Sequence, residues 1–333
     1  MSWRLRAHLV ATRVVCAIPR GPAYRMARAA GTVFALVPSS RRYALTSNIA
    51  AAHGLPTNDR SVRHDVRRAF ENAMLNYVDL FGLERHDAPE HVDSIPVDDW
   101  NPYFDAESRG KGVVLFSAHL GNFDTVVQTL AVRGRRVFIP VENIEPPDLL
   151  DALRKRRALM GMDIAPVGPD TFKHMTANLR AGGTVVIVCD RDIQGTGTPV
   201  AFFGHTVNLP QAAVLLAIRS GAPLLGAFGR RFDDNSISGR FTSVIDLSSG
   251  KSAERRQPVR QTVERGMSEL VSVLEREIRR DPGQWVVQQP LFTRPDNAPT
   301  RERSSPARNR MVIAPTVLLL TMFRFIWLRR GAA

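Results

Sequence analysis

Cysteine is scarce in this 333-residue chain, which contains only Cys16 and Cys189. Two cysteines close at most one disulfide and cannot complete a four-cysteine zinc site, so disulfide-rich and zinc-ribbon scaffolds are excluded. No serine stands in a Gly-x-Ser-x-Gly turn, which argues against a nucleophilic serine of the hydrolase type. Because Cys189 ends an apolar run, we expect a buried, unreactive thiol there.

Acidic residues are missing from both ends of the chain. Residues 1–58 contain eight arginines and no Asp or Glu, and residues 297–333 contain seven arginines with Glu302 alone. The formal net charge of +13 therefore lies at the ends, and residues 59–296 are close to neutral. A basic excess of this kind indicates a polyanionic partner, either nucleic acid or an anionic membrane. Aromatic residues are not interleaved with the arginines, which favours the membrane and not nucleic acid.

The first 58 residues predict basic amphipathic helices. Arginines recur every seven residues from Arg6 to Arg20, and apolar residues fall elsewhere around the helix. Pro19 to Pro22 interrupts this pattern, and a second apolar helix follows over 23–37. Basic helices of this type lie in a membrane interface, although they would also pack on the body with solvated arginines. Because arginines interrupt the apolar run, a signal peptide fits poorly.

The C-terminal end combines a polar linker with an apolar segment. Residues 294–310 are rich in Pro, Ser, Arg and Asn and predict a linker, and residues 311–330 predict an apolar helix. The stretch from Met311 to Leu328 would reach roughly 27 Å as a helix, barely the thickness of a bilayer core. Arg324 shortens the uncharged run further. We therefore favour an interfacial or partly inserted anchor over a true membrane span.

Residues 59–293 have the pattern of an α/β domain. Amphipathic helices are expected over 59–83 and 257–280. Between them, short apolar runs alternate with helical patterns, which indicates a mostly parallel central sheet flanked by helices. The expected strands are 112–117, 137–141, 164–167, 184–189 and 223–228, followed by a hairpin within 232–247, and the expected helices are 122–133, 147–160, 170–181 and 210–220. The prediction is one α/β domain with basic helices before it and an apolar helix after it.

A histidine follows the first of these apolar runs. His119 is expected at the carboxyl end of a strand, where ligands of open α/β sheets bind, and Gly121 allows a tight turn after it. Asp124 falls in the first turns of the next helix, within reach of the imidazole. A carboxylate there would fix the tautomer of His119 and stabilise its protonated form, as removal of a proton from an alcohol requires. The spacing alone is equally consistent with a histidine cap and a helix N-terminal acid.

The run from His119 to Asp124 resembles the His-x4-Asp/Glu signature of the lipid A biosynthesis acyltransferases and of their actinobacterial relatives, the phosphatidylinositol mannoside acyltransferases. The fuller form, His-x-Gly-Asn-aromatic-acid, is far more specific than the bare spacing. The resemblance covers roughly residues 5–293. Further matches follow in the same order along the chain: Glu142 after the second strand, Arg157 before Gly161-Met162, Asp190-Arg191-Asp192, Phe202-Phe203-Gly204, and Pro282 to Gln288 with Trp285.

This resemblance implies transfer of a fatty acyl chain from acyl-CoA or acyl carrier protein to a hydroxyl of a glycolipid such as a phosphatidylinositol mannoside. His119 and Asp124 are implied as the catalytic pair, with no acyl-enzyme, metal or other cofactor. Backbone amides of the turn after the strand are candidate donors to the oxyanion. The implied partners are the acyl donor, the lipid acceptor and an anionic membrane surface. The implied location is the cytoplasmic face of the cell membrane.

Other residues of the matching segments are candidates for binding substrate or shaping the cleft. Arg157 and Arg191 would hold a phosphate by bidentate contacts, although an ion pair with Glu142 or Asp190 explains each of them equally well. For the two phenylalanines, ordinary loop packing is the alternative to a wall for the acyl chain. The full set is Glu142, Arg157, Asp190, Arg191, Asp192, Phe202 and Phe203.

Several alternative functions stay open from the sequence. The acceptor would instead be a lipid A-type glycolipid or a lysophospholipid. A nucleic-acid-binding protein would use the arginine-rich ends, and a membrane scaffold would need no catalytic histidine. A metal-dependent hydrolase is the rival with different chemistry, although the spacing of its ligands would match no metal motif we can name. Those ligands would be His119, Asp124, Asp190, Asp192 and His205.

Overall fold

The computed structural model describes residues 2–247 and 259–292, and it confirms an α/β fold in which helices flank a mostly parallel sheet. The predicted linker over 294–310 and the apolar helix over 311–330 lie outside the described residues. The α-helices are α1 (Trp3–Ala17), α2 (Arg20–Leu36), α3 (Ser40–His53), α4 (Arg60–Gly82), α5 (Ala88–Asp93), α6 (Asn101–Glu107), α7 (Phe123–Val132), α8 (Pro147–Ala158), α9 (Thr171–Arg180), α10 (Ala212–Ser220) and α11 (Val259–Arg280). The strands are β1 (Val113–Ser117), β2 (Val137–Val141), β3 (Met162–Pro166), β4 (Thr184–Val188), β5 (Thr198–Phe202), β6 (His205–Leu209), β7 (Leu224–Arg231) and β8 (Ile237–Phe241).

The sheet is built around two strands that are almost entirely apolar. β1 and β4 pair in parallel, from Val113 opposite Thr184 to Ser117 opposite Val188. Such strands lie in the middle of a sheet because helices cover both of its faces. The strand order is β3-β2-β4-β1-β7-β8, and β8 runs antiparallel to β7. The five predicted strands and the hairpin after them are confirmed, whereas the separate hairpin of β5 and β6 is a feature that the apolar pattern does not predict.

Alternate side chains of β1 enter two different cores. Val114 and Phe116 pack in the core that includes α10 and α11, whereas Val113 and Leu115 pack in the core that includes α6, α7 and α8. Successive residues of a strand point to opposite faces of the sheet, so one short run supports both helical layers. This packing on both sides fixes the carboxyl end of β1, from which the chain continues to His119.

Three N-terminal helices pack against α4, and their apolar residues bury the face that the sequence predicts as apolar. The break between α1 and α2 falls at Ile18 and Pro19, and Pro22 lies in the first turn of α2. Proline is tolerated there because the amide of that position needs no intrahelical acceptor. The helix α3 is not predicted by the sequence pattern, because its apolar residues form no clear stripe. The predicted division at residue 58 falls in the turn between α3 and α4.

The helices α2 and α4 come into close contact at Gly31. A Cβ atom added to Gly31 would lie 2.5 Å from the Cα of Glu71, a separation that real Cβ atoms do not adopt. Beside this contact, the hydroxyl of Thr32 donates a hydrogen bond to Glu71 at 2.8 Å. The absence of a side chain at residue 31 therefore sets how closely the two helices approach.

Replacing Gly31 with alanine should separate α2 from α4 and destabilise the fold. The added methyl group meets backbone atoms, so we expect the free energy of unfolding to fall by about 1–3 kcal/mol, as is typical of overpacking. Gly21→Ala on the same helix is the matched control, because nothing lies within 4 Å of its added Cβ, and it should be neutral or slightly stabilising. Thermal unfolding measures both variants. Equal unfolding midpoints would contradict the close packing of α2 on α4.

Candidate active site

His119 lies just beyond the carboxyl end of β1, as the sequence predicts. Its backbone N–H donates to Asp190 Oδ2 at 2.7 Å, and its Nδ1 hydrogen-bonds Asp190 Oδ1 at 2.7 Å. Its backbone carbonyl accepts a hydrogen bond from the amide of Val286 at 2.9 Å. The ring and the backbone are therefore both held in place. The imidazole is 21% exposed and lines a cleft, and Nε2 is the ring nitrogen left for another molecule.

Asp190 reaches His119 because β4 is the neighbour of β1. Ser117 and Val188 are paired in the sheet, so the residues two positions further along each strand lie side by side. The carboxylate is completely buried and also accepts a hydrogen bond from Trp285 Nε1 at 2.8 Å. Burial opposes its ionisation, but the charge of His119 and the three hydrogen bonds outweigh burial and lower the pKa of Asp190 below its ordinary value.

Asp124 does not bond His119, in contrast to the sequence prediction. Its carboxylate binds Arg157 in a bidentate pair instead, with 3.2 Å from Nε to Oδ1 and 3.0 Å from the second guanidinium nitrogen to Oδ2. The helix α7 begins only at Phe123, so Asp124 projects from its first turn towards α8, where Arg157 lies. The Nδ1 of the imidazole is already bonded to Asp190. Both Asp124 and Arg157 nevertheless line the same cleft as His119.

Arg191 and Glu142 form an ion pair beside the cleft. The guanidinium also donates to Gln289 Oε1 at 2.7 Å, and the Arg191 side chain lines the cleft. The sequence suggests Glu142 or Asp190 as an ion-pair partner of each arginine. In the structure Arg191 pairs with Glu142, whereas Arg157 pairs with Asp124. The paired Arg191 still lines the same cleft as His119.

Of the seven candidate residues, only Arg157 and Arg191 line the cleft; Glu142 and Asp190 bond residues that line it, whereas Asp192, Phe202 and Phe203 do not. Asp192 accepts hydrogen bonds from the amides of its own loop, including that of Gly197 at 2.7 Å. Phe202 and Phe203 are buried, with ring centroids 5.9 Å and 5.7 Å from that of Trp285. The sequence prediction that these three residues bind substrate therefore finds no contact with the cleft. The phenylalanines instead support Trp285, which donates to Asp190.

The cleft has a cavity volume of about 270 Å³ and is lined by both polar and apolar side chains. Its charged and titratable lining residues are His119, Asp124, Arg157 and Arg191, and its apolar lining residues include Ala73, Tyr77, Leu80, Phe123, Val286 and Val287. A concave site with apolar walls and a few convergent polar groups is the usual form of a small-molecule site. The sequence does not identify the residues of α4 as cleft residues. The apolar stripe of α4 is consistent with packing against other elements, and the sequence pattern alone does not show which part of the helix faces a cleft.

Three backbone amides of the turn after β1, which the sequence suggests as oxyanion donors, are already bonded. The amides of His119, Leu120 and Gly121 each donate to a protein acceptor within 2.9 Å. These three amides are therefore committed to contacts within the protein. Arg157 and Arg191 are the cationic side chains in the cleft wall, and each presents several N–H groups. Their positive charge would suit them to stabilising an oxyanion.

The candidate metal ligands are distributed among different contacts. Asp124 is bonded to Arg157, Asp190 to His119 and Trp285, and Asp192 to its own loop. Within the described part of the chain, no three His, Cys, Asp or Glu side chains are arranged to hold a metal ion. The geometry at the cleft floor is that of a proton-transfer pair, because one nitrogen of the imidazole is held by a carboxylate and the other is left in the cleft.

Comparisons with known proteins find a matching family model and relatives of modest identity. The family model described as bacterial lipid A biosynthesis acyltransferase matches residues 2–294. The phosphatidylinositol mannoside acyltransferase of Mycobacterium tuberculosis is 29% identical over 123 residues, which are 36% of this chain and 39% of that protein. The protein of the same name from Mycolicibacterium smegmatis is 26% identical over 210 residues, 62% of this chain and 68% of its own length. The matched part of this chain thus spans less than half of the first relative.

The buried Asp190 should make the stability of the fold depend on acid pH. Its lowered folded-state pKa means that the carboxylate stabilises the fold fully above the unfolded value of about 4, and that this contribution is lost as the pH falls below that value. We expect Asp190→Asn to be less stable than the wild type at neutral pH and to lose less stability on acidification. Urea unfolding at a series of pH values measures this. Asp93→Asn, at a surface ion pair in which Asp93 is 58% exposed, is the control and should follow the wild type. Parallel curves for Asp190→Asn and the wild type would contradict the assignment.

Proposed function

Because this chain belongs to the bacterial lipid A biosynthesis acyltransferase family, we propose that it transfers a fatty acyl chain from an acyl thioester to a hydroxyl of a glycolipid. The observation that carries the proposal is the pairing of His119 with Asp190 at the floor of the cleft. We favour an acceptor of the phosphatidylinositol mannoside type, since the relatives from both mycobacteria have that name. A lipid A-type glycolipid and a lysophospholipid are the alternative acceptors.

His119 is the general base in this proposal. Its Nε2 takes the proton of the acceptor hydroxyl while the oxygen attacks the thioester carbonyl carbon, so that a C–O bond forms. The tetrahedral intermediate then breaks its C–S bond, and the imidazolium returns the proton to the leaving thiolate. Asp190 holds Nδ1–H through both steps and stabilises the imidazolium, because its buried carboxylate is kept ionised. The step needs neither an acyl-enzyme nor a cofactor.

Arg157 stabilises the oxyanion of the tetrahedral intermediate in this proposal. It lines the cleft, and its bidentate pair with Asp124 fixes the direction of the guanidinium. A fixed charge is more effective than a mobile one, because it does not have to reorganise as the negative charge develops. Asp124 thereby contributes to catalysis through Arg157 and not through His119.

The mixed lining of the cleft suits the two parts of a lipid substrate. The apolar lining residues, among them Ala73, Tyr77 and Leu80 of α4, would contact the acyl chain. Arg191, which lines the cleft and is paired with Glu142, would bind a phosphate or the sugar hydroxyls of the acceptor. The donor is acyl-CoA or acyl carrier protein, and both present a thioester on a phosphopantetheine arm.

The reaction is proposed to occur at the cytoplasmic face of the cell membrane. The end of α2, the start of α3 and the turn between them carry four exposed apolar side chains, which we call the α2–α3 corner: Val33 (46%), Leu36 (71%), Val37 (50%) and Tyr43 (52%). Arg41 and Arg42 lie within this corner, as an anionic lipid surface requires. Among the helices that the structure describes, none combines the length and the apolar character needed to cross a bilayer.

Loss of either member of the catalytic pair should abolish acyl transfer. We expect His119→Ala and Asp190→Asn to lower kcat at least about a hundredfold, since general base catalysis contributes about 10²–10⁴-fold. Asp124→Asn should cause a smaller loss, because it only releases Arg157. Transfer of labelled acyl groups from acyl-CoA to phosphatidylinositol mannoside, lipid A precursor or lysophospholipid is the measurement.

Asp163→Asn is the control for these variants, since Asp163 is exposed on the edge strand β3 and should keep the wild-type rate. A chelator should leave acyl transfer unchanged. Loss of activity on chelation would instead favour a metal-dependent hydrolase. Full activity of His119→Ala would refute the mechanism. Product from a different acceptor would change the substrate and leave the mechanism in place.

Polar substitution of the α2–α3 corner should weaken membrane binding. In the double variant Leu36→Ser and Val37→Ser, less apolar surface is buried in the bilayer, so we expect a smaller fraction to float with vesicles containing anionic phospholipid. Activity towards a detergent-dispersed acceptor should change little. The control is Leu55→Ser just beyond the other end of α3, where Leu55 is 40% exposed. Equal flotation of the double variant and the control would exclude the corner as a membrane contact.

A further inference from the structure

The turn after His119 is held by groups from three other elements. The carbonyl of Gly121 accepts a hydrogen bond from Asn76 Nδ2 of α4 at 2.7 Å, and its amide donates to the carbonyl of Gln284 at 2.9 Å. Asn122 Nδ2 donates to Asp79 Oδ2, also on α4, at 2.6 Å. The Oδ1 of Asn122 accepts a hydrogen bond from the amide of Thr125 at 3.1 Å and so caps α7. The residues between His119 and α7 therefore have polar partners on both sides.

Arg231 of β7 joins these partners to one another. Its guanidinium pairs with Asp79 and donates to Asn76 Oδ1 at 3.2 Å. Its backbone exchanges two hydrogen bonds with the side chain of Gln284, at 2.7 Å and 2.8 Å. Asn76, Asp79 and Gln284, which hold the turn, thus each also contact Arg231, so these groups form one network.

Burial makes this unit intolerant of rearrangement. The Arg231 side chain is 1% exposed and the Asp79 side chain 10% exposed, so both charges are largely removed from bulk water. Removing charges from water costs free energy that their mutual attraction recovers only when the geometry is good. A buried ion pair of this kind is therefore weak evidence of a net gain in stability. Its main effect is that only one arrangement of the two side chains satisfies both charges.

We propose that Asp79 and Arg231 are a positioning pair that fixes the catalytic turn, and that Tyr24 extends this control to helix α2. The inference rests on the proposed function, because the turn carries the histidine that acts as the base. Neither Asp79 nor Arg231 lines the cleft that contains His119. They act by holding Gly121 and Asn122, whose positions determine where the imidazole stands relative to the substrate carbonyl.

Tyr24 is the third contact of the Asp79 carboxylate. Its hydroxyl donates to Asp79 Oδ1 at 2.6 Å, and the Arg231 guanidinium lies 5.6 Å from the centroid of its ring. Burial, together with the Asp79 charge, raises the pKa of Tyr24, so the hydroxyl stays protonated and remains a donor at any physiological pH. The same helix ends in the α2–α3 corner at Leu36. A displacement of α2 at the membrane would therefore reach the turn through one hydrogen bond.

The substitution Asp79→Asn tests the positioning pair. It keeps the shape of the side chain but presents an amide donor to Arg231 and Asn122, which are donors themselves. We expect kcat to fall by about ten- to a hundredfold, the effect of a displacement near 1 Å, while the KM for each substrate stays within about twofold. Hydrogen exchange of the segment 118–126 should become faster in the free protein. Asp87→Asn is the matched control, since it also breaks an Asp–Arg contact to α2, at Arg20, but Asp87 makes no hydrogen bond to the turn.

Tyr24→Phe is the milder variant, which removes one hydroxyl and keeps the ring. We expect a fall in kcat of about three- to tenfold, which corresponds to one hydrogen bond, and an unchanged KM. If Asp79→Asn does not fold, this variant still decides the proposal. Unchanged kcat and unchanged exchange of the segment 118–126 in the folded variants would overturn it, even with a lower unfolding temperature, since the role would then be structural only. The exchange measurement needs no activity, so it decides the positioning role even if the wild type transfers no acyl group.

Discussion

The complete burial of the Asp190 carboxylate is the constraint on which the site depends. An ionised carboxylate inside a protein is tolerated only when hydrogen-bond donors replace the water that it has lost. Those donors are the backbone and the ring of His119 and the indole of Trp285. To satisfy one charge, the chain must therefore pair β4 with β1 in one register and place the segment around Trp285 beside the end of β1. The same contacts set the tautomer of the imidazole, so the requirement of folding coincides with that of the proposed proton transfer.

The segment from His119 to Asn122 is fixed between two acids, of which Asp190 is fully buried and Asp79 largely so. Asp190 holds its beginning and Asp79, with Arg231, holds its end. Between them, Gly121 has a φ of +56°, and a Cβ there would lie 2.2 Å from the carbonyl oxygen of Gly229. Only glycine fits this position. A positive φ disfavours any residue with a side chain, and a Cβ atom would collide with the neighbouring strand. A histidine held in this way varies little in position, which suits a reaction whose rate depends on the distance between base and hydroxyl.

The parts of this site that the sequence predicts are those with a local signature. Buried parallel strands read as apolar runs, so β1 and the place of His119 at its end follow from the pattern alone. The partner of His119 does not, because β4 enters the sheet beside β1 only after two other strands have been added along the chain. Sequence proximity favours Asp124, although the start of α7 directs it to Arg157. Strand order and helix direction are tertiary properties, and a spacing of five residues contains neither.

The charge of the N-terminal helices has two uses that the sequence does not separate. Arg20 pairs with Asp87 and Arg28 contacts Glu71 and Asn235, so part of the positive charge attaches these helices to acids of the neutral body. Arg6 and Arg13 are exposed on α1 and have no acidic partner among the described residues. Net charge alone therefore overstates the surface that faces a polyanion, and the exposed arginines with the α2–α3 corner are the part that remains for it. Because α2 contributes both to this surface and, through Tyr24, to the network under the catalytic turn, the helices that would meet the lipid are also part of the active-site framework.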